Sequence, residues 1–217
     1  MKAPLILATG FSAFPGAPEN PTAWAMEELE RTGWQPAGAR LVVRTLPVTF
    51  EMWSTTMFPL LSALQPEAVV SFGLSAKAMG VTLESTARNC VATNRPDFTG
   101  AYSGTGCVNQ HGPAIYPSRL PLKEIAGRLQ QSGVPMVRSD DAGDYVCNML
   151  FYKLMAAAEV SGPKVAGFVH VPYLERQAQR LKAAGHSIEC GSVLNERQLL
   201  LGIESILCEV ALRLQGE

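Results

Sequence analysis

An α/β fold is predicted by three observations on this chain. Short apolar β-type runs alternate with longer helix-type segments from one end to the other, and glycine, proline and asparagine signals separate them. Nothing in residues 1–217 looks like a low-complexity linker, a charge block or an internal repeat, so one domain over 1–217 is the simplest organisation. With 217 residues of which 47% are hydrophobic, the chain can bury about 70% of the surface it exposes when unfolded.

Pro4 to Thr9 predicts a buried strand that breaks at Gly10. Asn20-Pro21 supplies an N-cap and a proline at the first helical position, opening a helix that stops at Gly33. Ala39 to Pro47 is the next strand, and Thr49 to Leu64 a helix that Pro59 should kink or end early. Glu67 to Gly73 is a continuous apolar run suited to a central strand. Val81 to Arg88 alternates as a half-exposed strand does, with Val81, Leu83, Ser85 and Ala87 on one face. Asn94 to Gln110, rich in Gly, Ser, Thr, Asn and Pro, predicts a long loop of the kind that often carries function. Leu122 to Gln131 is a helix, Pro135 to Ser139 a strand, and Val146 to Val160 a helix. Lys164 to Val171 is a strand stopped by Pro172, and Glu196 to Leu214 is the last helix.

Composition narrows the function. Lys and Arg number 18 against 19 Asp and Glu, a net charge of −1, which gives no broad attraction for nucleic acid or an anionic membrane. A small neutral partner fits better. No apolar run approaches the ~20 residues that span a bilayer, and the opening residues lack a signal-peptide pattern. Five cysteines, Cys90, Cys107, Cys147, Cys190 and Cys208, are odd in number and show no Cys-x-x-Cys spacing, which speaks against a disulfide framework or zinc knuckle and for a reducing cytoplasm.

Two residues stand out chemically. Cys147, in Gly-Asp-Tyr-Val-Cys-Asn (Gly143 to Asn148), falls in the first turn of a predicted helix, where free N–H groups and the helix dipole favour a thiolate. His170, in Gly-Phe-Val-His-Val-Pro-Tyr (Gly167 to Tyr173), falls at the carboxyl end of a predicted strand, the rim where open α/β sheets bind ligands. Cysteine usually packs as a small buried hydrophobe and a strand-end histidine is usually structural, so spacing alone leaves both roles open. Glu84 is the natural carboxylate to hold the imidazole, although its alternation fits a solvated strand face better.

Other motifs fail on inspection. Gly73-Leu74-Ser75-Ala76-Lys77 lacks the final glycine of a serine-hydrolase elbow. Gly104-Thr105-Gly106 is not completed, because Asn109 stands where the third glycine of a dinucleotide fingerprint belongs. With only His111, His170 and His186, and no paired ligand spacing, neither a metal nor a cofactor is expected.

At these residues the sequence resembles the pyroglutamyl peptidase I family, also called pyrrolidone-carboxylate peptidases. Thr9-Gly10-Phe11-Ser12-Ala13-Phe14-Pro15-Gly16 and Asn20-Pro21-Thr22 are similar to the family's Thr-Gly-Phe-Glu-Pro-Phe-Gly-Gly and Asn-Pro-Ser, and Leu46-Pro47-Val48 matches its Leu-Pro-Val. Gly73 to Asn89 aligns without a gap to Gly-Leu-Ala-Gly-Gly-Arg-x-x-Ile-Thr-Pro-Glu-Arg-Val-Ala-Ile-Asn, putting Glu84 on the family's triad glutamate. Val146-Cys147-Asn148 matches the nucleophile motif, and Gly167 to Leu174 is similar to Gly-Phe-Ile-His-Ile-Pro-Tyr-Leu.

The resemblance implies a three-layer α/β/α sandwich around a central mixed, mostly parallel sheet. It also implies a cytoplasmic cysteine exopeptidase that removes N-terminal pyroglutamate, with Glu84, Cys147 and His170 as catalytic residues and a homo-oligomeric state, tetramer or dimer. Phe11, Phe14, Gly73, Leu74, Ser75, Tyr145 and Val146 fall on the implied substrate site. A pyroglutamyl lactam carries no charged amine, so an apolar slot with a few backbone hydrogen bonds suits it.

The chain departs from the family at Ala76-Lys77-Ala78, Ser85, Asp144 and Tyr145. Asn94 stands where the family has an arginine, with Arg95 as the neighbouring cation. These departures keep two alternatives open: a divergent member that hydrolyses another small N-terminal amide, and a non-catalytic binding domain on the same fold.

Overall fold

The computed structural model describes residues 3–14, 17–186 and 190–216, so Pro15 and Gly16 of the first motif lie outside the described residues. In chain order the elements are β1 (Leu5–Phe11), α1 (Pro21–Thr32), β2 (Arg40–Leu46), a π-helical segment (Trp53–Met57), α2 (Phe58–Leu64), β3 (Ala68–Leu74), β4 (Val81–Glu84), β5 (Thr86–Arg88) and β6 (Ile115–Pro117). Then follow α3 (Leu122–Gln131), β7 (Met136–Ser139), α4 (Val146–Val160), β8 (Val165–Val171), β9 (Tyr173–Leu174), α5 (Glu175–Ala183), β10 (Val193–Leu194) and α6 (Glu196–Gln215).

Six strands form the central sheet in the order β2-β1-β3-β8-β4-β7. All neighbours are parallel except β8 and β4, which run antiparallel with Thr82 opposite His170. The sheet is therefore mixed and mostly parallel. Its interior strands are buried almost along their whole length because helices cover both faces, and most of their residues are apolar. Ile6, Ala8, Val70, Phe72, Val169 and Val171 pack with α1, α3 and α6 on one face. Leu7, Phe11, Val69, Ala166 and Phe168 pack with α4 and with Met52 and Met57 on the other. Strand side chains alternate with period two, so Thr9, Ser71, Gly73 and His170 share the α4 face with that second set.

Local signals explain the helix ends. Asn20 Oδ1 accepts from the N–H of Thr22 at 3.0 Å, Pro21 opens α1, and Gly33 closes it at φ 63°. Asn195 Oδ1 accepts from the N–H of Gln198 at 2.8 Å and caps α6.

The structure differs from the sequence expectation at several places. β1 runs through Gly10 to Phe11, because a Cβ at Gly10 would stand 2.5 Å from the Thr22 carbonyl oxygen and its absence lets α1 lie against the strand. Pro59 does not end the helix, which runs on to Leu64; the disturbance it introduces is a widening of the preceding turn, Trp53–Met57, to π-helical geometry. Val81 to Arg88 is two strands in two sheets, and all four residues of β4 are buried rather than half-exposed, because β4 lies between β8 and β7. The short strands β6, β9 and β10 and the helix α5 have no counterpart in the sequence expectation.

Candidate active site

Cys147 occupies the second position of α4, after Tyr145 as N-cap and Val146. Tyr145 makes no side-chain cap hydrogen bond, so the N–H groups of the first turn, which a helix leaves without internal acceptors, stay available beside the thiol. The approach to this turn is set by Gly143, at φ 81°, with its N–H donating to Asp141 Oδ1 at 2.9 Å. The start of α4 is anchored from inside by Asn148, which is fully buried. Its Nδ2 donates to the carbonyls of Arg88 and Cys90 at 2.8 and 2.9 Å, and its Oδ1 accepts from the N–H of Arg88 at 3.0 Å.

His170 is the penultimate residue of β8, flanked across the ladder by Gly73 on β3 and Thr82 on β4. Its Nδ1 lies 2.7 Å from Oε1 of Glu84, and both side chains are buried. The Phe168 ring, 4.9 Å from the imidazole between centroids, covers it on the same strand face. Glu84 Oε2 is buried without a hydrogen-bond partner among the described residues. A buried carboxylate needs a cationic neighbour to be tolerated, and His170 is the one placed to supply it.

Burial is the largest single influence on His170 and opposes its protonation. Hydrogen bonding to Cys147 and to Glu84, together with the charges of both, outweighs it, and the imidazole pKa rises to about 9. His170 is thus the bridge between thiol and carboxylate. With Nδ1 on Glu84, Nε2 is the nitrogen left to serve the sulfur.

Gly73 explains how the thiol reaches the site. A Cβ there would stand 2.7 Å from Phe168 Cζ and 3.0 Å from Cys147 Sγ, so only glycine lets the sulfur lie against β3. Cys147 itself is partly exposed.

The sequence-based site residues divide by burial. Phe11 packs in the core against Phe168 with 6.4 Å between ring centroids, and Val146 is fully buried. Phe14, Leu74, Ser75 and Tyr145 keep partial exposure. Phe14 lies where two apolar clusters meet, one containing Cys147 and Tyr145, the other Leu74, Ala76 and Cys190. Sequence reasoning missed three supporting residues: Phe168, Thr82 and the clamping role of Asn148. Only Phe168 left a usable signal, its spacing of two from His170.

The departures also have places. The turn Ala76-Lys77-Ala78 is bonded to the segment before β10, with the Gly191 N–H donating to the Ala76 carbonyl at 2.8 Å. Ser85 joins the ends of β4 and β7, its N–H donating to the Ser139 carbonyl at 2.7 Å. Arg95 pairs with Asp144.

Comparison with known proteins agrees with this geometry. The family model described as pyroglutamyl peptidase matches residues 4–207. Pyrrolidone-carboxylate peptidase 1 of Ralstonia nicotianae is 36% identical over 184 residues, 84% of this chain and 82% of that protein. The Photorhabdus laumondii protein of the same name is 34% identical over 179 residues, 80% of each chain. The crystal structure of Bacillus amyloliquefaciens pyroglutamyl peptidase I superposes with a TM-score of 0.84 at 27% identity, covering 96% of this chain and 97% of that one. A mutant pyrrolidone carboxyl peptidase from P. furiosus gives 0.87 at 28% identity, covering 96% and 98%. Sequence and fold thus agree over nearly the whole described chain, and the chain belongs to the pyroglutamyl peptidase family.

Proposed function

We propose that this protein is a cysteine exopeptidase that removes an N-terminal pyroglutamyl residue from peptides, with Cys147 as nucleophile, His170 as acid and base, and Glu84 as the group that orients and charges the imidazole. The observation that carries the reading is the buried imidazole bridging a carboxylate at 2.7 Å and a helix-start thiol. The Cys147 proton resides on His170 as the imidazolium that its raised pKa of about 9 favours, and the thiolate adds to the pyroglutamyl carbonyl. The oxyanion faces first-turn N–H groups of α4. Collapse of the adduct breaks the C–N bond as the imidazolium gives its proton to the leaving amine, which departs as the shortened peptide. His170 then deprotonates water, which hydrolyses the thioester, releases pyroglutamate and restores the thiol.

Phe14 and Tyr145 are assigned to the apolar slot for the lactam, with Phe11 and Val146 backing it from the core rather than lining it, and the strand end Gly73, Leu74 and Ser75 to its backbone contacts. Part of the same proposal is that residues 1–217 form one domain, supported by a central sheet that draws strands from Leu5 to Val171. A homo-oligomer, dimer or tetramer, is supported by exposed Phe58, Phe98, Tyr102 and Val160. A cytoplasmic location is supported by five unpaired cysteines. Among the described residues no helix is long and apolar enough to cross a membrane.

A panel of fluorogenic N-terminal amides tests the assignment. Pyroglutamyl amide should be cleaved well ahead of prolyl, glutamyl and acetyl-alanyl amides, and equal rates across the panel would contradict it. Light scattering after size exclusion reads the oligomeric state.

A further inference from the structure

The Tyr145 ring is held from three sides by groups outside its own helix. Arg95 Cζ stands 5.1 Å from the ring centroid, and the same guanidinium pairs with the Asp144 carboxylate. The Tyr145 hydroxyl donates to the Pro96 carbonyl at 2.7 Å. Phe50 meets the ring edge-on, at 5.6 Å between centroids and 80° between planes.

The loop that delivers Arg95 is fixed in turn. Asp97 is 7% exposed. Its carboxylate accepts from the N–H groups of Phe50, Thr99 and Ala101 at 2.8, 2.8 and 3.1 Å, and from the Thr99 hydroxyl at 2.7 Å. The Phe98 N–H donates to the Val48 carbonyl at 3.0 Å, and the Ala92 N–H donates to the Asp144 carbonyl at 2.7 Å. One rigid loop therefore ties the segment after β2 to the turn that carries the nucleophile.

We propose that Arg95 is a positioning residue for the acyl pocket. Through its ion pair with Asp144 and its stacking on Tyr145 it fixes that ring as a wall beside Cys147, and it acts through Tyr145 rather than on the reacting atoms. This rests on the assignment of Tyr145 to the lactam slot. A small uncharged lactam brings few contacts, so a wall ordered before binding converts directly into affinity. Arginine suits the task because its planar guanidinium stacks on a ring and pairs with a carboxylate at once.

The test measures KM and kcat for a pyroglutamyl coumarylamide with the wild type, Arg95→Ala, Arg95→Lys, Asp144→Asn, Tyr145→Leu and Arg95→Ala/Tyr145→Leu. Arg95→Ala should raise KM about fivefold to tenfold, inside the combined range of a half-exposed ion pair and a cation–π contact, with kcat within about twofold. Asp144→Asn should move KM in the same direction, and Arg95→Lys should fall between. On the Tyr145→Leu background, removing Arg95 should add nothing.

An unchanged KM, additive effects in the double variant, or a loss confined to kcat would overturn the proposal. If the wild type cleaves no pyroglutamyl amide, the functional assignment fails separately. Arg95 is then read from protection of Cys147 against iodoacetamide by 2-pyrrolidone, where Arg95→Ala should need about fivefold to tenfold more lactam. Equal protection of the two proteins, or none in the wild type, overturns the role of Arg95.

Discussion

Nδ1 of His170 and Oε1 of Glu84 lie 2.7 Å apart, and each side chain is all but sealed from solvent. The pair comes from adjacent antiparallel strands, β8 and β4, whose register sets Leu83 opposite Val169. It holds the imidazole in one orientation and stabilises its charge, so the carboxylate matters through its charge as well as its shape.

Glu84→Gln tests that. The amide keeps the volume and one hydrogen bond but removes the negative charge and lets His170 adopt the wrong tautomer. Pyroglutamyl hydrolysis should fall by up to about 10⁴-fold, the loss on neutralising the carboxylate of a comparable triad. The variant should remain folded by circular dichroism, and turnover within threefold or so of wild type would mean Glu84 is not the orienting group.

The pH dependence follows from His170. Its pKa rises from 6.5 to about 9 on folding, so the folded state holds the proton more tightly. Its contribution to stability is complete below pH 6.5 and is lost as pH rises through about 9. Urea midpoints of the wild type should fall across this window, and those of His170→Asn should fall less. The rate should decline above about 9, as the proton donor for the leaving amine disappears. A wild type with flat stability and rate across the window would contradict the assignment.

Gly73→Ala introduces a methyl group where Phe168 Cζ would be 2.7 Å away and Cys147 Sγ 3.0 Å away. The thiol has to move, and overpacking of this kind costs about 1–3 kcal/mol. Cys147 alkylation and hydrolysis should both drop at least about tenfold, since small displacements at a reacting centre are expensive. Unchanged alkylation would show that the sulfur does not lie against β3.

Asn148→Ala removes the three hydrogen bonds that tie α4 to the 88–90 segment. Each buried group left without a partner costs about 1–3 kcal/mol, so thermal unfolding should occur several degrees lower. Asn148→Asp, which keeps the acceptor but sets a carboxylate oxygen against the Arg88 and Cys90 carbonyls in a buried site, should be no more stable than Asn148→Ala. A variant as stable as wild type would remove the clamp from the account.

The sequence exposed the main helices and the long strands because their periodicity is strong and their caps, Asn20-Pro21 and Gly33, are explicit. It exposed Cys147 and His170 as reactive types at favourable places. Glu84 was ambiguous for a topological reason: alternation suggested a half-exposed strand, whereas β4 lies inside the sheet, and strand order leaves no trace in local spacing. The resemblance to a family, not the pattern, put Glu84 beside His170. Asn148 and Phe168 act through contacts distant in sequence, and the clamp on Tyr145 depends on the path of the 94–110 loop, which composition marks as irregular but does not trace.

The most direct test of the central claim is hydrolysis of a pyroglutamyl fluorogenic amide by wild type and Cys147→Ala side by side. The wild type should turn the amide over and the folded variant should not. Turnover retained in Cys147→Ala, or absent from a wild type whose Cys147 alkylates no faster than Cys90 or Cys190, would contradict it.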